Sequence, residues 1–227
     1  MLDSIHLNTG QGIIGTSKTE QLLGGLINQN LKWTEHILLS DESLVKKLGT
    51  RLNALKQIGK VADFKTRKMF ADGLFMSKLI YLIPLWGGCE KFLIKALEIL
   101  QNKAARSVTR LGIYTPIKTL LNQCGWLSVN QLVFFHTVVL LFKTLQFESP
   151  EYLLSMTGRD YNYKTRAKDQ GKLRVMPEYK LENELNLKSY RWRSIRSWNQ
   201  LPLNITSLAK FKVQLKAWVK NNIDIYP

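Results

Sequence analysis

SKLIYLIPLWGGCEKFLIKALEILQNKAARSVTR (Ser77–Arg110) decides the fold. It opens on an apolar run, breaks at Pro84-Leu85-Trp86-Gly87-Gly88, and resumes as a long amphipathic stretch. Proline lacks a backbone donor and its ring clashes with the carbonyl four residues back, so one helix ends or kinks at Pro84. Beyond the corner, Leu93, Leu97, Leu100, Ala104 and Val108 recur at three- and four-residue spacing, which predicts a helix over about 90–110 with one buried face. Lys103, Arg106 and Arg110 fall at i, i+3 and i+7 on another side, with Lys95 earlier on the helix, as a basic stripe.

Upstream, Leu44, Leu48, Leu52, Leu55 and Ile58 mark one face of a helix over about 43–60, with Ser40 or Asp41 as its cap. Asp63 is a good N-cap for a helix over about 64–82. Its apolar set of Phe64, Met69, Phe70, Leu74, Phe75, Ile80 and Leu82 predicts broad burial. EQLLGGLI (20–27) reads as one buried strand with an irregularity at Gly24-Gly25, and Asn28-Gln29-Asn30 as a turn, with a helix starting near Thr34–Ile37. Gly10 to Gly15 match GxGxxG, but a poor strand precedes them and no apolar helical face follows, so a flexible loop is the better reading than a dinucleotide site.

Downstream, Thr115-Pro116 starts a short helix that ends near Cys124 with Gly125 beyond it. Ser128 caps a long apolar helix to about Gln146, and Ser149-Pro150 opens another short one. Periodicity fades over about 158–188, a basic loop. Ser189 then starts a helix with Tyr190, Ile195 and Trp198 packed and Arg191, Arg193 and Arg196 outside. Ser207 caps a last helix, about 208–221, with Leu208, Phe211, Leu215 and Trp218 inward. The fold class is therefore mainly α, a helical thumb-like bundle with a small N-terminal β remnant. It divides into 1–42, a three-helix region at 43–112, and a C-terminal helical region at 113–227.

Across 227 residues there are 33 Lys and Arg against 17 Asp and Glu, a net charge of +16. Fourteen of the cations and four of the anions lie within 43–110, a local excess of ten. Such an excess favours a polyanionic partner, nucleic acid first and an anionic membrane surface second. Two cysteines and three scattered histidines lack metal-ligand spacing. LIYLIPLW (79–86) and LVFFHTVVLLF (132–142) fall short of the roughly 20 residues that span a bilayer. No secretory signal is visible at the N-terminus, and an intracellular location, nuclear or cytoplasmic, is expected.

The candidate contacts follow from charge and spacing. The stripe Lys95, Lys103, Arg106, Arg110 can track a phosphate backbone from a rigid helix, against the competing reading of a solvated face. Lys164, Arg166 and Lys168, interleaved with Tyr161 and Tyr163, suit single strands by backbone attraction and base stacking. Arg191, Arg193 and Arg196 form a third group, flanking Trp192 and Trp198. His136, on an apolar helix, reads as a core histidine, and no Ser-His-Asp or Cys-His set can be nominated.

Four blocks in order resemble the C-terminal part of a reverse transcriptase from a non-LTR (LINE-like, jockey-type) retrotransposon. They are LLGGLINQNLKWTEHI (22–37), SKLIYLIPLWGG (77–88), LQNKAARSVTR (100–110), and Thr165-Arg166 with SYRWRSIRSWNQLP (189–202) and FKVQLKAWV (211–219). The resemblance implies the last palm strands at 20–33, thumb-like helices at 43–110 against a template-primer duplex of RNA or DNA, and an upstream palm and fingers as further partners. It also implies two-metal chemistry in the full-length polymerase, with Mg²⁺ on paired aspartates upstream of the segment matched here. Phe70-Ala71-Asp72-Gly73 imitates the catalytic box but has glycine for the second aspartate and lies in a helical segment, so Asp72 reads as a solvated helix-face charge. No catalytic residue, metal ligand or cofactor is expected in this chain, and no activity from it alone. Met1 stands directly before the first block, which implies a fragment. The alternative is a basic structural or membrane-surface helical protein.

Overall fold

The computed structural model describes residues 7–8, 10, 13–14, 17–157, 172–173, 188–202 and 208–223. It is mainly α, with two small antiparallel hairpins at the N-terminal end. Strand β1 (Leu7–Asn8) pairs with β2 (Ile13–Ile14), so part of the GxGxxG stretch is paired strand. Strand β3 (Thr19–Leu22) pairs with β4 (Gly25–Asn28) in the register Thr19 to Asn28. The single buried strand expected over 20–27 is thus a hairpin, and its first strand is largely exposed. Leu23 and Gly24 have φ of 48° and 77°, the two left-handed positions of a tight hairpin loop whose twist matches its strands. Glycine takes such a φ at no steric cost; the leucine beside it does not.

After the Asn28 turn, a π-helical turn (Glu35–Leu39) buries His36. Its Nδ1 accepts the Leu26 N–H at 3.2 Å, and its ring stands edge-on to Trp33. Burial, with Lys78 and Lys47 nearby, lowers the His36 pKa to about 4. The neutral ring is therefore the folded form, and its contribution is complete above the ordinary value of 6.5 and lost as pH falls from there toward 4.

Helix α1 (Leu44–Val61) starts later than Ser40 or Asp41 would set it. The Ser40 hydroxyl accepts the Glu42 N–H and the Ser40 carbonyl accepts the Ser43 N–H, so a turn occupies those residues and Ser43 takes the cap position. Helix α2 (Phe64–Phe70) begins as expected, with the Asp63 carboxylate accepting the Thr66 N–H at 3.0 Å. It continues through a π-helical turn (Ala71–Met76) into α3 (Ser77–Ile80). This segment is not broadly buried. Arg67, Ala71, Phe75, Met76 and Leu79 face inward, whereas Phe64, Met69, Phe70 and Leu74 are exposed. The extra residue of the π turn shifts the helical phase, and Arg67 takes an inward position because carbonyls meet it there: Nε donates to Val108 O and Nη1 to Ala62 O, both at 2.7 Å.

The break before the corner comes at Tyr81, which is extended, and Leu82, with φ of 59°. Pro84 then sits in the first turn of α4 (Ile83–Trp86), where its missing donor is harmless. Four parts of the chain meet at this corner. The fully buried Trp86 donates its indole N–H to Tyr81 O at 2.9 Å, and the Tyr81 hydroxyl donates to Leu23 O at 2.6 Å. A Cβ on Gly87 would lie 2.7 Å from Val133 of the long apolar helix, and one on Gly88 would lie 2.0 Å from the Lys188 carbonyl. Only glycine permits those approaches.

Helix α5 (Lys91–Thr109) buries Leu93, Leu97, Ala104 and Val108 completely. Each large apolar side chain contributes roughly 1.5–3 kcal/mol of transfer free energy. Helix α6 (Ile117–Cys124) has Pro116 at its cap position, one residue later than expected, and ends on Gly125 at φ of 69°. Helix α7 (Val129–Phe147) opens on a capping box in which Ser128 Oγ accepts the Gln131 N–H and Gln131 Oε1 accepts the Ser128 N–H. Gln131 Nε2 also donates to Ile223 O at 2.9 Å, tying down the last helix. Helix α8 (Glu151–Leu154) runs into a 3₁₀ turn, Ser155–Thr157. Helices α9 (Tyr190–Trp198) and α10 (Leu208–Asn222) pack on α7, with Phe211 stacked on Phe142 at 4.1 Å and Trp198 tilted against both. Ser207, the expected cap of α10, lies outside the described residues. Among the described residues no single helix is long and apolar enough to cross a membrane; α6 and α7 suffice only together, bent by 44°, and much of their apolar surface is buried here.

Gly88→Ala should lower stability in urea unfolding by about 1–3 kcal/mol through overpacking, while Gly112→Ala, in open space, should move the midpoint little.

Candidate nucleic-acid interface

The basic stripe is built on α5, whose inner residues lock its orientation and leave Lys95 and Lys103 exposed. The i, i+3, i+7 pattern does not extend to Arg110. The helix ends at Thr109, and Arg110 caps it with φ of 57°, off the helical path though still exposed. Arg106 is half-buried, its Nη2 3.5 Å from Ile113 O and its Nε enclosed without a partner, so the loop after α5 holds part of its guanidinium. Two apolar residues complete the outer face: Phe92 is 55% exposed and Ile99 48%. In order, Phe92, Lys95, Ile99, Lys103 and Arg106 recur every three or four residues, so the face alternates ring or alkyl with cation.

A second set of cations joins this surface through packing. A Cβ on Gly59 of α1 would lie 3.8 Å from Ser107 O of α5, and Arg67 of α2 reaches Val108 O. The C-terminal ends of α1 and α5 and the start of α2 therefore share one end of the bundle, and Lys56, Lys60 and Lys65 are exposed there. Helical spacing of each segment alone cannot reveal this convergence; the one local clue is Gly59 on the inner face of α1. Cations near helix C-termini also gain from the helix dipole, which is a reason for Lys60 and Arg106 apart from any ligand.

The other candidates separate. Lys164, Arg166 and Lys168 lie outside the described residues, as do Tyr161 and Tyr163. Arg196 is exposed and Arg191 half-buried. Arg193, expected outside, points inward: Nη2 donates to Pro84 O at 2.6 Å, Nε to Lys188 O at 3.0 Å, and Nη1 reaches Thr137 Oγ1 at 3.4 Å. Burial lowers its pKa to about 10, so it remains a cation that clamps backbone carbonyls and is not a phosphate contact.

Asp72 is also more than a solvated charge. Its Oδ2 pairs with Lys68 at 2.5 Å and its Oδ1 accepts the Trp126 indole N–H at 2.7 Å, across the π turn. Among the described residues no three His, Cys, Asp or Glu side chains converge as metal ligands. Burial raises the thiols of Cys89 to about 12 and Cys124 to about 11, keeping both neutral, and lowers His136 to about 4.

Glu98, which carried no sequence signal except its place beside Leu97, is buried and accepts from Asn130 Nδ2 at 3.0 Å. Burial raises its pKa from 4.5 to about 7. The folded chain then holds a proton that the unfolded chain loses, so stability falls as pH rises from 4.5 to 7, by at most about 1.4 kcal/mol per unit. Glu98→Gln keeps an acceptor for Asn130; it should raise the thermal midpoint at pH 8 and leave it nearly unchanged at pH 4.5.

Comparison with protein-family models, with curated proteins and with solved structures gave no match to this chain.

Proposed function

We propose that this chain is the nucleic-acid-holding C-terminal region of a retroelement RNA-directed DNA polymerase, gripping template-primer through its phosphates. The observation that carries the reading is the basic end of the bundle: Lys56, Lys60, Lys65, Lys103 and Arg110 are exposed and carry no ion pair among the described residues. Packing spends few acidic groups on them; the ion pairs that form engage Lys46, Lys47 and Lys68 instead. Fixed cations on rigid helices bind a phosphate backbone by releasing its counterions, without reading bases. The four ordered sequence blocks supply the link to a polymerase. Phe92 and Ile99 favour a second reading, in which the same face lies on an anionic membrane.

Binding to a primer-template duplex should weaken by about 100-fold between 50 and 200 mM salt if four phosphates are neutralised. Lys103→Ala should lower affinity for all sequences alike and reduce the salt slope by about 1. A flat salt response, or binding to anionic vesicles without binding to duplex, rejects the proposal.

A further inference from the structure

A cavity of about 460 Å³ lies away from the basic end, between the turn after β4 and the Pro-Trp-Gly-Gly corner, and is closed by the start of α9. Its volume falls in the ~300–1,000 Å³ range of small-molecule sites. Trp33, Leu31 and Leu85 give it flat apolar walls, and Lys32 and Lys188 stand at its lining. The polar groups are specific. Glu90 Oε1 is 3.6 Å from Lys188 Nζ, but Oε2 is enclosed without a partner. The Tyr190 hydroxyl is enclosed as well, beside Ser194, and makes no hydrogen bond of normal geometry. A buried carboxylate oxygen with nothing donating to it demands donors from whatever fills the space.

We infer that this cavity takes an unstacked nucleobase bearing adjacent N–H donors, with guanine the best match. Guanine alone among the common bases presents an amino group beside a ring N–H, the pair a carboxylate accepts. Its carbonyl on the same edge needs a donor such as the Tyr190 hydroxyl. Uracil would turn carbonyls toward Glu90, and cytosine and adenine place a ring acceptor next to their amino group. An indole wall suits stacking, and splayed single-stranded bases are read by this combination of stacking and edge contacts. Lys32 and Lys188 suit the attached phosphate, whether it belongs to a strand or to a free nucleotide. Cys89, in the same wall, is neutral and contributes only bulk.

As a site on a strand, the pocket rests on the nucleic-acid reading above. The test uses the full chain and two labelled RNA 12-mers, all uridine or with one central guanosine, with guanosine monophosphate as competitor. The guanosine strand should bind on the order of tenfold more tightly. Leu85→Trp, at a half-exposed lip position, should fill the cavity and abolish the preference while leaving uridine-strand affinity unchanged. Glu90→Gln, which turns donors toward donors, should do the same, with urea unfolding confirming that both variants fold. Preference surviving in both variants, or no preference and no binding of guanosine monophosphate, overturns the pocket. Salt-sensitive strand binding without a guanosine preference would overturn it while leaving the function above intact. Binding of guanosine monophosphate without any strand binding would support the pocket as a free-nucleotide site and sink the function.

Discussion

Close backbone approach at Gly87-Gly88 is the constraint on which the rest of the structure depends. No side chain fits at either residue, because Val133 of α7 and the Lys188 carbonyl already occupy the space. Around that contact Trp86 seals the core, Tyr81 reaches the β3–β4 loop, and Arg193 binds the carbonyls of Pro84 and Lys188. The hairpin, α7 and α9 are positioned relative to α5 by this one corner. The orientation of the basic face on α5, and the cavity beside Glu90, both follow from it.

Two buried arginines show how a strongly cationic chain closes a helical core. Arg67 and Arg193 each donate to backbone carbonyls from different elements, without a carboxylate partner among the printed contacts. A guanidinium has five donors in a planar fork, so it can satisfy several carbonyls left over where helices end. Glu98 is the opposite case, a buried acid whose single printed acceptor contact leaves it favouring the protonated state.

Signals confined to a few residues were legible in the sequence. The inner face of α5, the Asp63 cap, the Ser128 cap and the Gly125 terminus all appear where spacing and capping chemistry put them. Departures arise where distant residues or backbone sign decide. Arg193 turns inward because carbonyls 109 residues away in sequence await it. Arg110 leaves its stripe through a left-handed φ that arginine does not advertise, and Phe64, Met69, Phe70 and Leu74 are exposed because a π turn shifts phase. The interface was legible as composition and, for Lys95 and Lys103, as position. The convergence of Lys56, Lys60 and Lys65 with them belongs to helix packing and has no local trace.

The Arg193–Pro84 bond also bears on the order in which the chain assembles. Joining residues so far apart costs loop-closure entropy before any contact rewards it. Trp86 and Tyr81, five residues apart, meet at almost no such cost, and the Tyr81–Leu23 contact closes a span of 58 residues. Arg193 can find its carbonyls only once that corner exists, because Pro84 and Leu85 present them from it. A long-separation clamp seated on a locally formed turn makes the C-terminal helices a late addition, and gives the chain a built-in sequence of folding from its middle outward.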